Sequence, residues 1–332
     1  MGRTLLGQLK DLSPSKLTIQ RIQGWNLDLP EMWSNKFRKV PKLFFAKIPL
    51  YLVLLLLLNI GLLTFALTKL ATPTYENPEE IAKELAKEVL PSDGYSTSLT
   101  WGDIGKKLVE VGAIDEEKYR ELFTSPAEGE NELDILAGTS TKKISINENT
   151  SHFVLNTLWA VGLVQKSKVM DEGPMKTAGY DPANFASTGG WTLGTKDAME
   201  VYSSTELVSL NDFQQNLVKK IADSVFRPCC DNPTSFPDCN HGMAALGLIE
   251  LEVAAGVSED QIYKDLLAFN SFWFPQNYLD IAAYLKQEGS SWSKADPKTL
   301  LGKDFSSASG SAKVSSSLKN RPQTDGGGSC GV

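Results

Sequence analysis

The chain has 332 residues, and 42% of them are apolar and 22% charged, so it is neither fibrous nor disordered as a whole. A formal net charge of −7 argues against a nucleic-acid partner, which would call for a basic face or stripe. Four cysteines are too few for a disulfide-built mini-protein, and the length allows one or two domains.

Residues 1–47 carry nine Lys and Arg against three acids, with Trp25, Trp33 and the pair Phe44-Phe45 among them. They read as a basic cytoplasmic tail whose last part suits a membrane surface. From Ile48 to Thr68 no residue is formally charged, and fourteen of the 21 are Leu, Ile, Val or Phe. On the insertion scale these gain roughly 4–8 kcal/mol, enough to outweigh Pro49 and Asn59. At 1.5 Å per residue the run covers about 31 Å, the thickness of a bilayer's hydrocarbon layer. The 47-residue leader and Lys69 fit an uncleaved signal anchor better than a cleaved signal peptide. Beyond Lys69 the chain has 23 Lys and Arg against 37 Asp and Glu. The positive-inside bias therefore predicts a cytoplasmic N-terminus, a span over 48–70 in contact with membrane lipid, and an extracytoplasmic remainder where disulfides persist.

The remainder reads as helical. Asn77-Pro78 caps a helix with Ile81, Leu85 and Val89 on one face. Ile104, Leu108 and Val109 mark a second, and Asp115 caps a third with Tyr119 and Leu122 inward. Lys143-Ile144-Ser145-Ile146 is the only strand signal. Asn149-Thr150-Ser151, which also matches a glycosylation acceptor, caps a buried helix over Phe153–Val164. Residues 167–200 are loop-rich, and the turn Ser187-Thr188-Gly189-Gly190 seats Trp191 in the core. The spacing of Leu210, Phe213, Leu217, Ile221 and Val225 predicts an amphipathic helix that Pro228 ends. Further helices follow over 241–253 and from Ser258, broken at Pro275 and continued to Lys286. From Ser306 onward Ser and Gly dominate and predict a flexible tail. The fold class is all-α: a single transmembrane helix plus an extracytoplasmic irregular helical domain over 75–302, then a tail over 303–332 that ends in Cys330.

Three of the four cysteines and one of the two histidines fall within 229–241, as Cys229-Cys230, then Cys239 and His241. Three readings of this CC-x8-C-x-H loop (228–243) stay open. Thiolate and imidazole are the ligands of soft transition metals, which makes Cys229, Cys230, Cys239 and His241 a candidate site for a copper or zinc ion. Met243, and Cys330 on its tether, are candidates for a further ligand. Alternatively Cys229 or Cys230 pairs with Cys239, leaving a thiol for Cys330. That arrangement serves thiol–disulfide exchange or simply staples the loop. Third, Cys239 before a helix, with His241 near it, has the elements of a nucleophile, but no third group orients the pair. No catalytic residue is assigned.

The runs Phe226-Arg227-Pro228-Cys229-Cys230 and Asp238-Cys239-Asn240-His241-Gly242-Met243-Ala244 resemble a group of uncharacterised, membrane-anchored bacterial proteins. The likeness extends to Phe185-Ala186-Ser187-Thr188-Gly189-Gly190-Trp191 and to the Gly-rich end with Cys330, and covers much of residues 95–332. It implies that loop and tail form one module and supplies no reaction. The reading that follows is a membrane-anchored protein whose exported helical domain binds a soft metal ion. Thiol–disulfide exchange or a stapled structural domain are the alternatives.

Overall fold

The computed structural model of the protein describes residues 49–71, 77–177 and 179–323, with only the backbone over 65–71. The basic tail over 1–47 and the end of the chain with Cys330 lie outside the described residues. The chain divides into two units, Met1–Pro73 and Thr74–Val332.

In the first unit the apolar run forms one helix, α1 (Leu50–Ala71, 22 residues). Its leucines from Leu50 to Leu63 are exposed. Its two polar side chains turn back on their own helix: Asn59 Nδ2 donates to Leu55 O at 2.8 Å and Thr64 Oγ1 to Ile60 O at 2.9 Å. Among the residues with described side chains no helix is long and apolar enough to cross a membrane. In α1 those residues stop at Thr64, about 22 Å from its start at 1.5 Å per residue.

The second unit is mostly helical. It opens with α2 (Pro78–Val89), β1 (Tyr95–Gly102), α3 (Ile104–Glu110), α4 (Glu116–Leu122) and β2 (Ser140–Ile146). It continues through α5 (Ser151–Val164), three short helices α6 (Lys168–Glu172), α7 (Pro174–Thr177) and α8 (Ala198–Val201), and then α9 (Asp212–Ser224). Next come α10 (Asn240–Ala254), α11 (Glu259–Trp273), α12 (Pro275–Gln287), α13 (Pro297–Leu300), α14 (Lys303–Ser306) and α15 (Ala308–Ser317). Asn77 caps α2 through the Glu79 amide, Asp115 caps α4, and Ser258 caps α11 through the Gln261 amide. The Gln261 side chain turns to Tyr95 and Asp265, so the reciprocal half of that capping box is not made. Pro275 stops α11 and begins α12.

The core is built on α5 crossing α10, both buried along most of their length. Glycines set the crossing: a Cβ on Gly162 would strike the Met243 carbonyl, and one on Gly247 the Leu158 carbonyl. The two backbones are therefore in contact. Trp159 and Trp191 meet edge to face beside this crossing at 4.8 Å, and Trp191 donates to Ala113 O.

Three expectations are corrected. First, the strand at 143–146 has a partner, β1, which pairs antiparallel with Tyr95 opposite Ile146 and Gly102 opposite Ser140. The inward positions of β1 are Tyr95, Thr97, Leu99 and Trp101, a period of two carried by a Ser/Thr-rich segment. Second, Phe213 is 76% exposed, while the rest of the expected stripe faces inward: Ile221 and Val225 are buried, Leu210 and Leu217 pack on the core, and Val218 and Ala222 widen it. Gln214 takes the inner place at the first turn: it completes a capping box with Asn211 and donates to Val253 O. Third, residues 303–323 are not a loose tail. Ser306, Ser307, Gly310, Ser311 and Val314 are buried, Ser306 bonds Tyr278 OH at 2.7 Å, and Asn277 donates to Ser311 Oγ at 2.6 Å. Small side chains let α15 lie close against α12, and hydroxyls supply the contacts that apolar groups supply elsewhere. The boundary expected at 302 is therefore no break in the fold.

Candidate metal centre

The loop between α9 and α10 is shaped by Arg227, whose side chain is buried. Its Nη1 donates to Asn232 O at 3.0 Å, and its Nη2 to Phe236 O at 3.1 Å and to the Asp238 carboxylate. Its Nε donates to Cys239 Sγ at 3.0 Å. A guanidinium carries five donors in a rigid fork, which lets one side chain hold four points of a loop. Asp238 is braced a second time by Asn232 Nδ2 at 2.8 Å. The guanidinium lies against the first turn of α10, and only glycine fits there: a Cβ on Gly242 would come within 2.5–2.7 Å of three of its atoms. Thr234, with its amide and hydroxyl on Val225 O, ties the loop to the end of α9. The Ser187–Trp191 turn is joined on as well, since Ser187 N donates to Asp238 O and Trp159 donates to Ser187 O.

Cys239 is the N-cap of α10, and its sulfur accepts from Gly242 N at 3.3 Å. Cys229 Sγ lies 3.4 Å from Cys239 Sγ. The Cys239 thiol is held well below its ordinary range by hydrogen bonds from the Cys229 and Cys230 thiols and by Arg227, which outweigh burial. Cys229 is pushed up by its hydrogen bonds to Cys230 and Cys239 and by burial. Of the two, Cys239 is the more acidic.

His241 opens α10 and is 6% exposed, its ring 4.4 Å from Phe274 and 6.0 Å from Trp273. Burial pushes its pKa down to about 4, so the imidazole is neutral at physiological pH, the form that binds metals. Its Nδ1 is buried without a hydrogen-bond partner.

Ligand atoms of Cys229, Cys239 and His241 all lie within 4.8 Å of one another. A tetrahedral ion with sulfur bonds of about 2.3 Å sets its sulfurs about 3.8 Å apart, a few tenths more than the 3.4 Å between Cys229 and Cys239. These residues could hold a metal ion, and the hydrogen bonds from Arg227 and Gly242 to the Cys239 sulfur are the outer-sphere contacts that orient a thiolate ligand. Cys230 does not join this trio. It groups instead with Asp238 and Cys239, on a carboxylate already engaged by Arg227 and Asn232. Met243 is fully buried in the apolar core. Of the four residues read as ligands, three converge.

Sequence reasoning gave no role to Arg227, Gly242 or Phe274. The signal for the first was a single arginine beside Pro-Cys-Cys; its partners are set by the folding of the loop. His152, outside the loop, packs edge-on to Phe123 with Nε2 unpartnered. No family model, curated protein or solved structure matches the chain.

Proposed function

We propose that the protein is anchored in the cell membrane through 48–70, with a cytoplasmic N-terminus, and that its extracytoplasmic helical domain binds a soft transition-metal ion, copper or zinc. The observation that carries the metal reading is that two sulfurs and a nitrogen of a buried imidazole all lie within 4.8 Å of one another. Two soft thiolates with a neutral imidazole are the donor set such ions take. Their summed charge of −2 cancels a divalent ion, while Arg227 and Asp238 neutralise each other beside it. The expected result of elemental analysis is one metal ion per chain purified without reductant. Replacing His241 with Ala is expected to lower metal affinity by about tenfold or more, read by competition with a chelator. A chain with no stoichiometric metal removes the reading.

A second reading, thiol–disulfide exchange, is favoured by the close approach of the Cys239 and Cys229 sulfurs at 3.4 Å. In this reading Cys239 attacks a substrate disulfide, a mixed disulfide forms and one substrate sulfur leaves as thiolate. Cys229 then displaces the second, closing Cys229–Cys239 and leaving the substrate reduced. Alkylation that never traps Cys229 or Cys239, before or after reduction, removes it. The anchoring is tested in intact cells: external protease is expected to degrade the domain, and a C-terminal reporter that stays cytosolic overturns it.

A further inference from the structure

Resting on the metal reading, we infer that Cys230 is a redox switch on the site: reaction with a small disulfide draws Cys239 out of the ligand set into a Cys230–Cys239 bond and releases the ion. Cys239 belongs to two groups of ligand atoms. Its sulfur lies within 4.8 Å of the ligand atoms of Cys229 and His241, and within 4.8 Å of the Cys230 sulfur and an Asp238 oxygen. The first group holds the ion. In the second, Asp238 is already engaged by Arg227 and Asn232, which leaves Cys230 a thiol beside a metal ligand with no ion of its own.

Two sets of contacts keep Cys230 in that place. Its sulfur lies 3.8 Å from Asp238 Oδ1 and 3.9 Å from Asn232 O, within the loop that Arg227 gathers. The start of α15 grips the backbone: Ala308 N donates to Cys230 O at 2.9 Å, and the Ser309 amide and hydroxyl donate to Asp231 Oδ1 at 2.8 and 2.7 Å. From a separation within 4.8 Å, an approach of at most about 2.8 Å closes a sulfur–sulfur bond of about 2.05 Å. Cys230 is also the least buried of the three cysteines, so a small disulfide reaches it before the two sulfurs that face the ion.

The Cys230 thiol attacks a disulfide RSSR, forming Cys230–S–SR, and its proton leaves with the first RSH. The Cys239 thiolate then leaves the ion and attacks the Cys230 sulfur. The mixed disulfide breaks, Cys230–S–S–Cys239 forms, and the second RS− departs to take a proton from water. Two electrons have passed from the protein sulfurs to RSSR, which ends as two thiols. A disulfide sulfur is no longer a thiolate, the form that binds metals. Cys229 and His241 remain, two ligands where a zinc site takes three or four from the protein, and the ion is freed. On the exported side proposed above, oxidising conditions favour the reaction.

The test loads the full chain in detergent with zinc and adds glutathione disulfide. Free zinc is read with a weak chromogenic indicator, and the sulfur bonds are mapped by alkylation and mass spectrometry. The parent is expected to release its zinc as a Cys230–Cys239 disulfide forms, with Cys229 left free for alkylation. Cys230→Ser is expected to bind zinc with the parent's affinity and to release it at least about tenfold more slowly under the same oxidant. Release from Cys230→Ser at the parent's rate overturns the inference and leaves the three-ligand site standing. So does a parent that keeps its zinc under the oxidant, or one that releases it with any other pair of cysteines bonded. A zinc affinity weakened by Cys230→Ser makes Cys230 a ligand and overturns the switch as well. A parent that takes up neither zinc nor copper(I) overturns both the inference and the metal reading.

Discussion

Replacing Arg227 with Met is expected to cost about 3–5 kcal/mol of stability and, if the proposed metal reading holds, to weaken metal binding. Methionine fills much of the volume, so the loss is electrostatic and not a cavity effect. Arg227 is 1% exposed and is the donor to Asn232 O, Phe236 O, Asp238 and Cys239 Sγ. Its removal leaves two inward carbonyls, a carboxylate and a thiolate without their partner in a place water reaches poorly, and each buried orphan is costly. The Cys239 thiol rises towards its ordinary range, because Arg227 is among the groups that hold it down. Chemical denaturation of parent and variant measures the first effect, and the pH dependence of thiol alkylation the second. A variant within 1 kcal/mol of the parent would show that the loop is held by something other than its arginine.

The second large effect is a pH dependence set far from the sulfurs. Glu252 on α10 has both carboxylate oxygens buried without a donor, as does Asp265 at Oδ2. Oδ1 of Asp265 is already taken by Tyr95 OH at 2.5 Å and Gln261 Nε2 at 2.6 Å. The orphans are resolved if Glu252 keeps its proton and donates to Asp265. Burial above all, then the hydrogen bond and charge of Asp265, push Glu252 up to about 11. Below the ordinary carboxyl range both folded and unfolded chains hold that proton, and its contribution to stability is whole. As the pH rises the unfolded chain releases it while the fold retains it, so stability falls by up to about 1.4 kcal/mol per unit until Glu252 itself ionises. Burial raises Glu250 in the same direction. Between pH 5.5 and 7.5 the expected loss from Glu252 alone is about 3 kcal/mol. Glu252→Gln, which donates to Asp265 without binding a proton, is expected to flatten the profile and raise the melting temperature at pH 7.5 by several degrees. A parent whose stability is level over this range refutes the shared proton.

Much of the helical scaffold was legible in the residues because its signals are local. Asn77-Pro78, Asp115 and Ser258 cap helices through their own next amides, and Pro275 interrupts one by lacking a donor. The strand β1 was obscured because Ser and Thr fill its outward positions and one of its inward ones. Phe213 shows the limit of periodicity: one member of an otherwise inward stripe is left exposed where a capping glutamine supplies the inward contact of the first turn. The serines of α15 read as a linker by composition, and only the facing hydroxyl and amide groups of α12 make them interior. At the candidate site the ligand types were visible, since sulfur and imidazole are rare and clustered. Which of them converge was not, because Cys229 and Cys230 are adjacent in the chain and both reach Cys239, yet only Cys229 also groups with His241 while Cys230 groups with Asp238.

The glycine contact between α5 and α10 has a mechanical meaning. With main chain pressed on main chain, α10 has no layer of side chains to slip through, so it cannot roll or slide without prying two backbones apart. Cys239 and His241 are thus mounted on a fixed rail, while Cys229 rides on the arch opposite. Any widening or narrowing of the gap between the sulfurs therefore falls to the arch, and amide exchange is expected to be slower along the rail than over residues 228–233.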